Sequence, residues 1–155
     1  MLLAIDIGNT NIVIGIYEQR RLKCHWCVAS DQRKTADEYG LLLSQLSHYR
    51  GIDIAAIDAV IVASVVPALT QVFTKMAGEL FKCQPLLVGP GIKTGIPIRF
   101  ENPKEVGADR IVNGVAVYEL YGGPAIVVDF GTATTFDAIS AQGEYLGGAI
   151  APGIA

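Results

Sequence analysis

The chain has 155 residues; 51% are hydrophobic, 17% are charged, and the formal net charge is −3. That balance excludes a disordered or coiled-coil protein and leaves no basic footprint for nucleic acid. The length suits one ordinary domain or two small lobes. No apolar run reaches the ~18 residues that span a bilayer. Met1-Leu2-Leu3-Ala4-Ile5-Asp6 lacks the basic start of a signal peptide, so a cytoplasmic protein with no membrane partner is expected. Cys24, Cys27 and Cys83 are an odd number of thiols, which argues against a disulfide framework. Cys24 and Cys27 form a C-x-x-C spacing inside a strand-like run, where alternation puts the thiols on opposite faces. With no second pair for zinc, structural cysteines are expected.

Leu2 to Asp6 reads as a buried strand, Gly8 to Asn11 as a turn, and Ile12–Tyr17 and Leu22–Ala29 as two further strands of an antiparallel meander. Thr35-Ala36-Asp37-Glu38 has the form of a capping box, and Tyr39, Leu42, Leu43 and Leu46 recur on one helical face; Gly51 is its predicted stop. Ala59 to Val66 reads as a strand covered on both faces. Leu69, Val72, Phe73, Met76, Ala77, Leu80 and Phe81 define an amphipathic helix, and residues 85–88 a short strand. Gly89-Pro90-Gly91 marks a lobe boundary, giving lobes of residues 1–90 and 91–155. Asn102 and Pro103 predict the cap and first position of a helix running to about Leu120, ended by Gly122-Gly123. Strands are expected over Ala125–Asp129, Phe136–Ser140 and Glu144–Ile150. His25 and His48 are isolated, without a triad partner. Trp26, Tyr118 and Tyr121 read as packing residues.

A repeat emerges. Leu3 to Thr10 and Val127 to Thr132 both run apolar strand, Asp, hydrophobe, Gly, then small polar residues. Each is followed by two more strands, so two lobes each open with a β-β-β unit. In Asp-x-Gly the strand fixes the carboxylate, and the glycine lets backbone N–H groups approach a phosphate. The carboxylate itself would hold a cation that bridges to the phosphates. Two such turns would serve one nucleotide. Neither a P-loop nor a strand-linked G-x-G-x-x-G occurs. Asp109 and Arg110, early in the predicted helix, would supply a base and an anion anchor for a small acidic substrate carrying a hydroxyl. Asp109 as no more than a partner of the helix dipole is the competing reading.

Asp6-Ile7-Gly8-Asn9-Thr10-Asn11, Gly107-Ala108-Asp109-Arg110-Ile111-Val112-Asn113 and Asp129-Phe130-Gly131-Thr132-Ala133-Thr134 resemble, in order, motifs of the type III pantothenate kinases. Ser64-Val65-Val66-Pro67 and the stretch from Gly147-Gly148 to Pro152-Gly153 extend the resemblance along the chain. That family belongs to the acetate kinase, sugar kinase, Hsp70 and actin superfamily. The resemblance implies an α/β fold of ribonuclease H-like, actin/Hsp70-type duplicated lobes with mixed sheets. It further implies ATP-dependent phosphorylation of pantothenate to 4'-phosphopantothenate, the first step of coenzyme A biosynthesis, by a cytoplasmic homodimer.

By this resemblance Asp6, Ile7, Gly8, Asn9, Thr10, Asn11, Ile12 and Val13 form the first ATP phosphate loop, and Thr132 contacts ATP. Asp109 is the general base. Phe100, Gly107, Ala108, Asp109 and Arg110 bind pantothenate, and Asp129 binds a monovalent cation, K⁺ or NH₄⁺, while Mg²⁺ accompanies ATP. Phe100 lacks the hydroxyl of the Tyr common there. Family members are longer, so the second lobe is expected to be incomplete and this chain alone weak or inactive. Two alternatives stay open: a non-catalytic nucleotide-binding regulator of the superfamily, or a kinase for another small hydroxylated acid.

Overall fold

The computed structural model describes residues 1–89, 92–100 and 102–153. The chain divides into two units, Met1–Leu87 and Val88–Ala155. Of the predicted Gly89-Pro90-Gly91 boundary, residues 90 and 91 lie outside the described residues.

In the first unit, strands β1 (Leu2–Ile7), β2 (Asn11–Glu18) and β3 (Arg21–Ala29) form the predicted antiparallel meander. β4 (Ala59–Ser64) pairs parallel to β1, and the two-residue β5 (Leu86–Leu87) pairs parallel to β4. The sheet is therefore mixed, in the order β3-β2-β1-β4-β5. Strict alternation sends Leu3, Ile5 and Ile7 of β1 and Ile12, Ile14 and Ile16 of β2 into one core. Helices α1 (Ala36–Tyr49) and α2 (Pro67–Leu80) close that core with Tyr39, Leu43, Leu69, Phe73 and Met76. Each such side chain contributes roughly 1.5–3 kcal/mol by leaving water.

The capping box at the start of α1 is present in both directions: the Glu38 N–H donates to the Thr35 hydroxyl at 3.3 Å, and the Thr35 N–H donates to the Glu38 carboxylate at 2.8 Å. Pro67 is the first residue of α2, where its missing N–H costs no helical bond. The strand before it therefore ends at Ser64, short of the predicted Val66. Val60 and Val62 face the helices, while Ile61 is only half-buried, so β4 alternates more than the predicted doubly covered strand. Cys24, Trp26 and Val28 pack on the core while Cys27 is exposed, as alternation requires.

The second unit contains α3 (Ala108–Tyr121) and an antiparallel sheet of β6 (Ala125–Phe130), β7 (Ala133–Ile139) and β8 (Tyr145–Pro152) in that order. Here the predicted helix is corrected. Pro103–Glu105 is a single 3-10 turn, and α3 begins only after Gly107, its N-cap. Asn102 uses its side-chain amide on Glu105 at 2.7 Å, and Val106 is buried in the small core. β7 also starts three residues earlier than predicted, because the turn before it is only Gly131-Thr132. Ile96, Val106, Ile111, Ile139 and Tyr145 form the core of this unit. Tyr118 packs against it, whereas Tyr121, predicted to pack, is exposed.

Candidate functional site

The two Asp-x-Gly turns have matching geometry. Asp6 is the last residue but one of β1, opposite Val13, and Asp129 occupies the same place in β6, opposite Thr135. In the first turn the Gly8 N–H donates to the Asn11 carbonyl at 3.0 Å; in the second the Gly131 N–H donates to the Ala133 carbonyl at 3.0 Å. Asp6, Asn9, Thr10, Asn11, Thr132 and Asp129 are all exposed. Ile7 and Ile12 are fully buried core residues, so only their backbone can serve a ligand. Val13 lies on the opposite face of β2 and is exposed.

Ser30, which sequence reading passed over, fastens the first turn. Its hydroxyl donates to the Gly8 carbonyl at 2.6 Å and its N–H to the Thr10 carbonyl at 2.9 Å. The strand pattern alone gives it no signal, because it lies just beyond the last residue of β3.

The start of α3 carries the second group of predicted residues. Asp109 is at the second helical position, and its Oδ1 accepts from the Arg110 N–H at 2.8 Å. One oxygen thus satisfies a helix N–H that has no partner within the helix. Its Oδ2 makes no hydrogen bond among the described residues. Gly107 and Ala108 place this carboxylate, Gly107 as the N-cap and Ala108 buried beneath it. Phe100 is half-buried, its ring packed over Gly147 of β8.

Arg110 does not point freely outward. Its Nε donates to Asp137 Oδ1 at 2.7 Å, its Nη2 lies 2.6 Å from the same oxygen, and the side chain is only 11% exposed. Tyr145 donates its hydroxyl to Asp137 Oδ1 as well. Burial pushes the Tyr145 hydroxyl well above its usual pKa, and the neighbouring Asp137 carboxylate adds to the rise. Burial lowers the Arg110 pKa, but the hydrogen bond and charge of Asp137, together with the nearby Tyr145 and Asp109, outweigh it and the net shift is upward. The charge of Arg110 is therefore already balanced inside the protein. Arg110 by itself is then a weaker argument for an acidic substrate than its sequence position implies.

Asp129 is tied to α3 as well. Asn113 Nδ2 donates to Asp129 Oδ2 at 2.9 Å, and Asn113 lies one helical turn beyond Asp109. Thus Asp109, Arg110 and Asn113 on α3, Asp129 on β6 and Asp137 on β7 share one side of the second unit's sheet. Asp137, Tyr145 and Asn113 were not singled out as site residues in the sequence. A carboxylate in the apolar run Phe136-Asp137-Ala138-Ile139 is the signal that was available, because a buried charge requires a partner.

A family model described as type III pantothenate kinase matches residues 2–155. The type III pantothenate kinase of Moorella thermoacetica is 75% identical over 154 residues, covering 99% of this chain and 61% of the relative. That of Myxococcus xanthus is 58% identical over 154 residues, covering 99% of this chain and 60% of the relative. The chain thus spans about three fifths of the length of the curated relatives it matches. Among solved structures, an ROK hexokinase from Thermus thermophilus superposes with a TM-score of 0.54 at 14% identity, covering 94% of this chain and 47% of that one. At that identity the likeness shows the fold alone: an α/β architecture of the sugar-kinase and actin type.

Proposed function

We propose, because the chain belongs to the type III pantothenate kinase family, that it carries the machinery for ATP-dependent phosphorylation of pantothenate, the first step of coenzyme A biosynthesis. The observation that carries this reading is Asp109, a half-buried carboxylate with one oxygen anchored to the start of α3 and the other without a hydrogen-bond partner among the described residues. Such a carboxylate can take the proton of a primary hydroxyl. The resulting alkoxide attacks the γ-phosphorus, the bond to the β-phosphate oxygen breaks, and ADP leaves. Phe100, Gly107, Ala108 and Arg110 are assigned to pantothenate. The Asp6–Val13 turn and Thr132 are assigned to ATP.

For cations the donor set fits. Asp6 and Asp129 are exposed strand-end carboxylates, the hard oxygen ligands that Mg²⁺ and K⁺ or NH₄⁺ take. Asp6 would hold Mg²⁺ and Asp129 the monovalent ion. A bound cation would supply charge neutralisation on the phosphates. A homodimer and a cytoplasmic location belong to the same reading by resemblance. The balanced charge of Arg110 favours testing a second one, phosphorylation of another small hydroxylated acceptor.

The deciding measurement is ADP release with pantothenate and a panel of hydroxylated acceptors, with and without K⁺ or NH₄⁺. Pantothenate-dependent release is expected, and weak from this chain alone, which spans about three fifths of its relatives' length. Asp109→Asn should lose about 10²–10⁴-fold in turnover while binding ATP as the parent does. Near-normal turnover by that variant overturns the assignment of the base. Release with another acceptor but not pantothenate supports the second reading. ATP binding with no acceptor-dependent release overturns both and leaves a nucleotide-binding regulator.

A further inference from the structure

We infer that Asp137 is a positioning residue that locks the guanidinium of Arg110 for the phosphoryl acceptor, with Tyr145 and Gly148 completing the seat. The inference rests on the reading of Arg110 as an acceptor-binding residue.

Asp137 lies in mid-strand on β7 with its side chain fully buried, yet it bears a charge. Burial of a carboxylate in an apolar unit is tolerated only where donors replace its water. Here Oδ1 accepts from Arg110 Nε and the Tyr145 hydroxyl and is ion-paired with Arg110 Nη2 at 2.6 Å, while Oδ2 accepts from the Thr135 hydroxyl at 3.5 Å. The Arg110 Nη2 also reaches the Phe136 carbonyl at 3.4 Å. Two of the three guanidinium nitrogens are thereby committed to β7, and the plane of the group is fixed. Nη1 makes no hydrogen bond to a described residue. That nitrogen is the one left to meet an acceptor.

The neighbouring strand is shaped for this arrangement. Gly148 on β8 is paired opposite Asp137, and a Cβ at that position would collide with the Phe136 carbonyl, Arg110 Nη2 and Asp137 Oδ1. Next to it, a Cβ on Gly147 would press on the Phe100 ring at 3.1 Å. The Gly147-Gly148 pair therefore makes room for the two side chains assigned to the acceptor. The Tyr145 ring lies beneath the guanidinium, 6.0 Å from its carbon. A salt bridge serving stability alone explains the burial of Asp137. It leaves unused Arg110 Nη1, which makes no hydrogen bond to a described residue. The two glycines are required by their backbone as well, Gly147 by its φ of +132° and Gly148 by the Phe136 carbonyl.

The test uses the full chain labelled with [¹⁵N]arginine, plus separate titrations with pantothenate and with a non-hydrolysable ATP analogue. The side-chain Nε–H resonance of Arg110, identified by its loss in Arg110→Gln, should be protected from solvent exchange. In Asp137→Asn that protection should fall, and pantothenate affinity should drop about 10- to 100-fold, the range for a hydrogen bond to a charged group. Affinity for the ATP analogue should stay within about twofold, a selectivity that general loosening of the fold would not give. Tyr145→Phe keeps the ring, removes one bond to Asp137, and should shift both readouts the same way by a smaller factor. Arg110→Gln and the double variant Arg110→Gln/Asp137→Asn should bind pantothenate equally weakly, because Asp137 acts through Arg110.

Additive losses in the double variant, or equal weakening toward both ligands, overturn the positioning role. An unaltered Arg110 resonance in Asp137→Asn overturns the lock itself. If the parent chain binds no pantothenate, the functional reading and the acceptor half of this inference fall. The Arg110 resonance still decides whether Asp137 holds the guanidinium.

Discussion

Asp31 shows how much one side chain can do at the end of a strand. Its carboxylate accepts from the Arg33 N–H and Nε at 3.0 Å each and from Arg33 Nη2 at 3.1 Å. The side-chain bond from Arg33, followed by its backbone bond, holds the Asp31 carboxyl down at about 2. Because the folded value is depressed, the stabilisation is present above the unfolded value near ~3.9 and is lost as pH falls through about 2. Asp31→Asn should therefore lower the urea midpoint at pH 6. The gap from the parent should narrow between about pH 4 and pH 2. The Tyr39 hydroxyl bonds only the backbone of Asp31, so the variant leaves that anchor in place. A gap independent of pH sinks the argument. The contrast with Arg110 concerns legibility. Asp31 and Arg33 are two residues apart, within reach of any sequence reading, whereas Arg110 and Asp137 are 27 apart and meet only through the docking of α3 on β7.

At the scale of elements, what could be read was whatever local chemistry decides. The two ends of α1 are both written in a few residues: the Thr35–Glu38 box opens it, and Gly51, at φ +66°, closes it. There the Ile52 N–H donates to the Ser47 carbonyl and the Gly51 N–H to the His48 carbonyl, which caps two carbonyls that the helix leaves over. Thr35→Ala should cost about 1 kcal/mol and Gly51→Ala about the same, measured as shifts in chemical-denaturation midpoints with unchanged slope. A cost near zero for both would mean that tertiary packing alone holds α1. The start of α3 misled the reading for a complementary reason. Asn102-Pro103 has the chemistry of a helix opening, and it does open one 3-10 turn, but Gly107 lets the chain restart so that Ala108 and Ile111 reach the core. The pull of the core is a tertiary effect that neighbouring residues do not encode.

For the whole molecule, the Asp-x-Gly repeat was legible because it repeats, and it led to the two β-β-β units that the structure contains. The second lobe was expected to be incomplete, and the structure shows how unequally the two units are supported. The first unit's core has seventeen buried residues, from its sheet, its two helices and the connecting residues Ile57 and Val66; the second has five among the described residues. On β6 and β7, α3 covers the side that holds Val127 and Ile139, while Ile126 and Phe130, 67% and 66% exposed, lie on the other. An apolar side chain left in water adds nothing to stability, and the covered face of this sheet carries one helix, where that of the first unit carries two. The second unit should consequently open at lower free energy than the first. Native-state hydrogen exchange measures this directly. Amides of β7, the central strand of its sheet, should exchange at least about tenfold faster than those of β1, which is flanked by β2 and β4. Raising denaturant should bring the β7 amides onto the global unfolding line only after they have shown a separate, shallower one. Equal protection of the two central strands, with a single slope from the start, would show that the second unit is as well supported as the first.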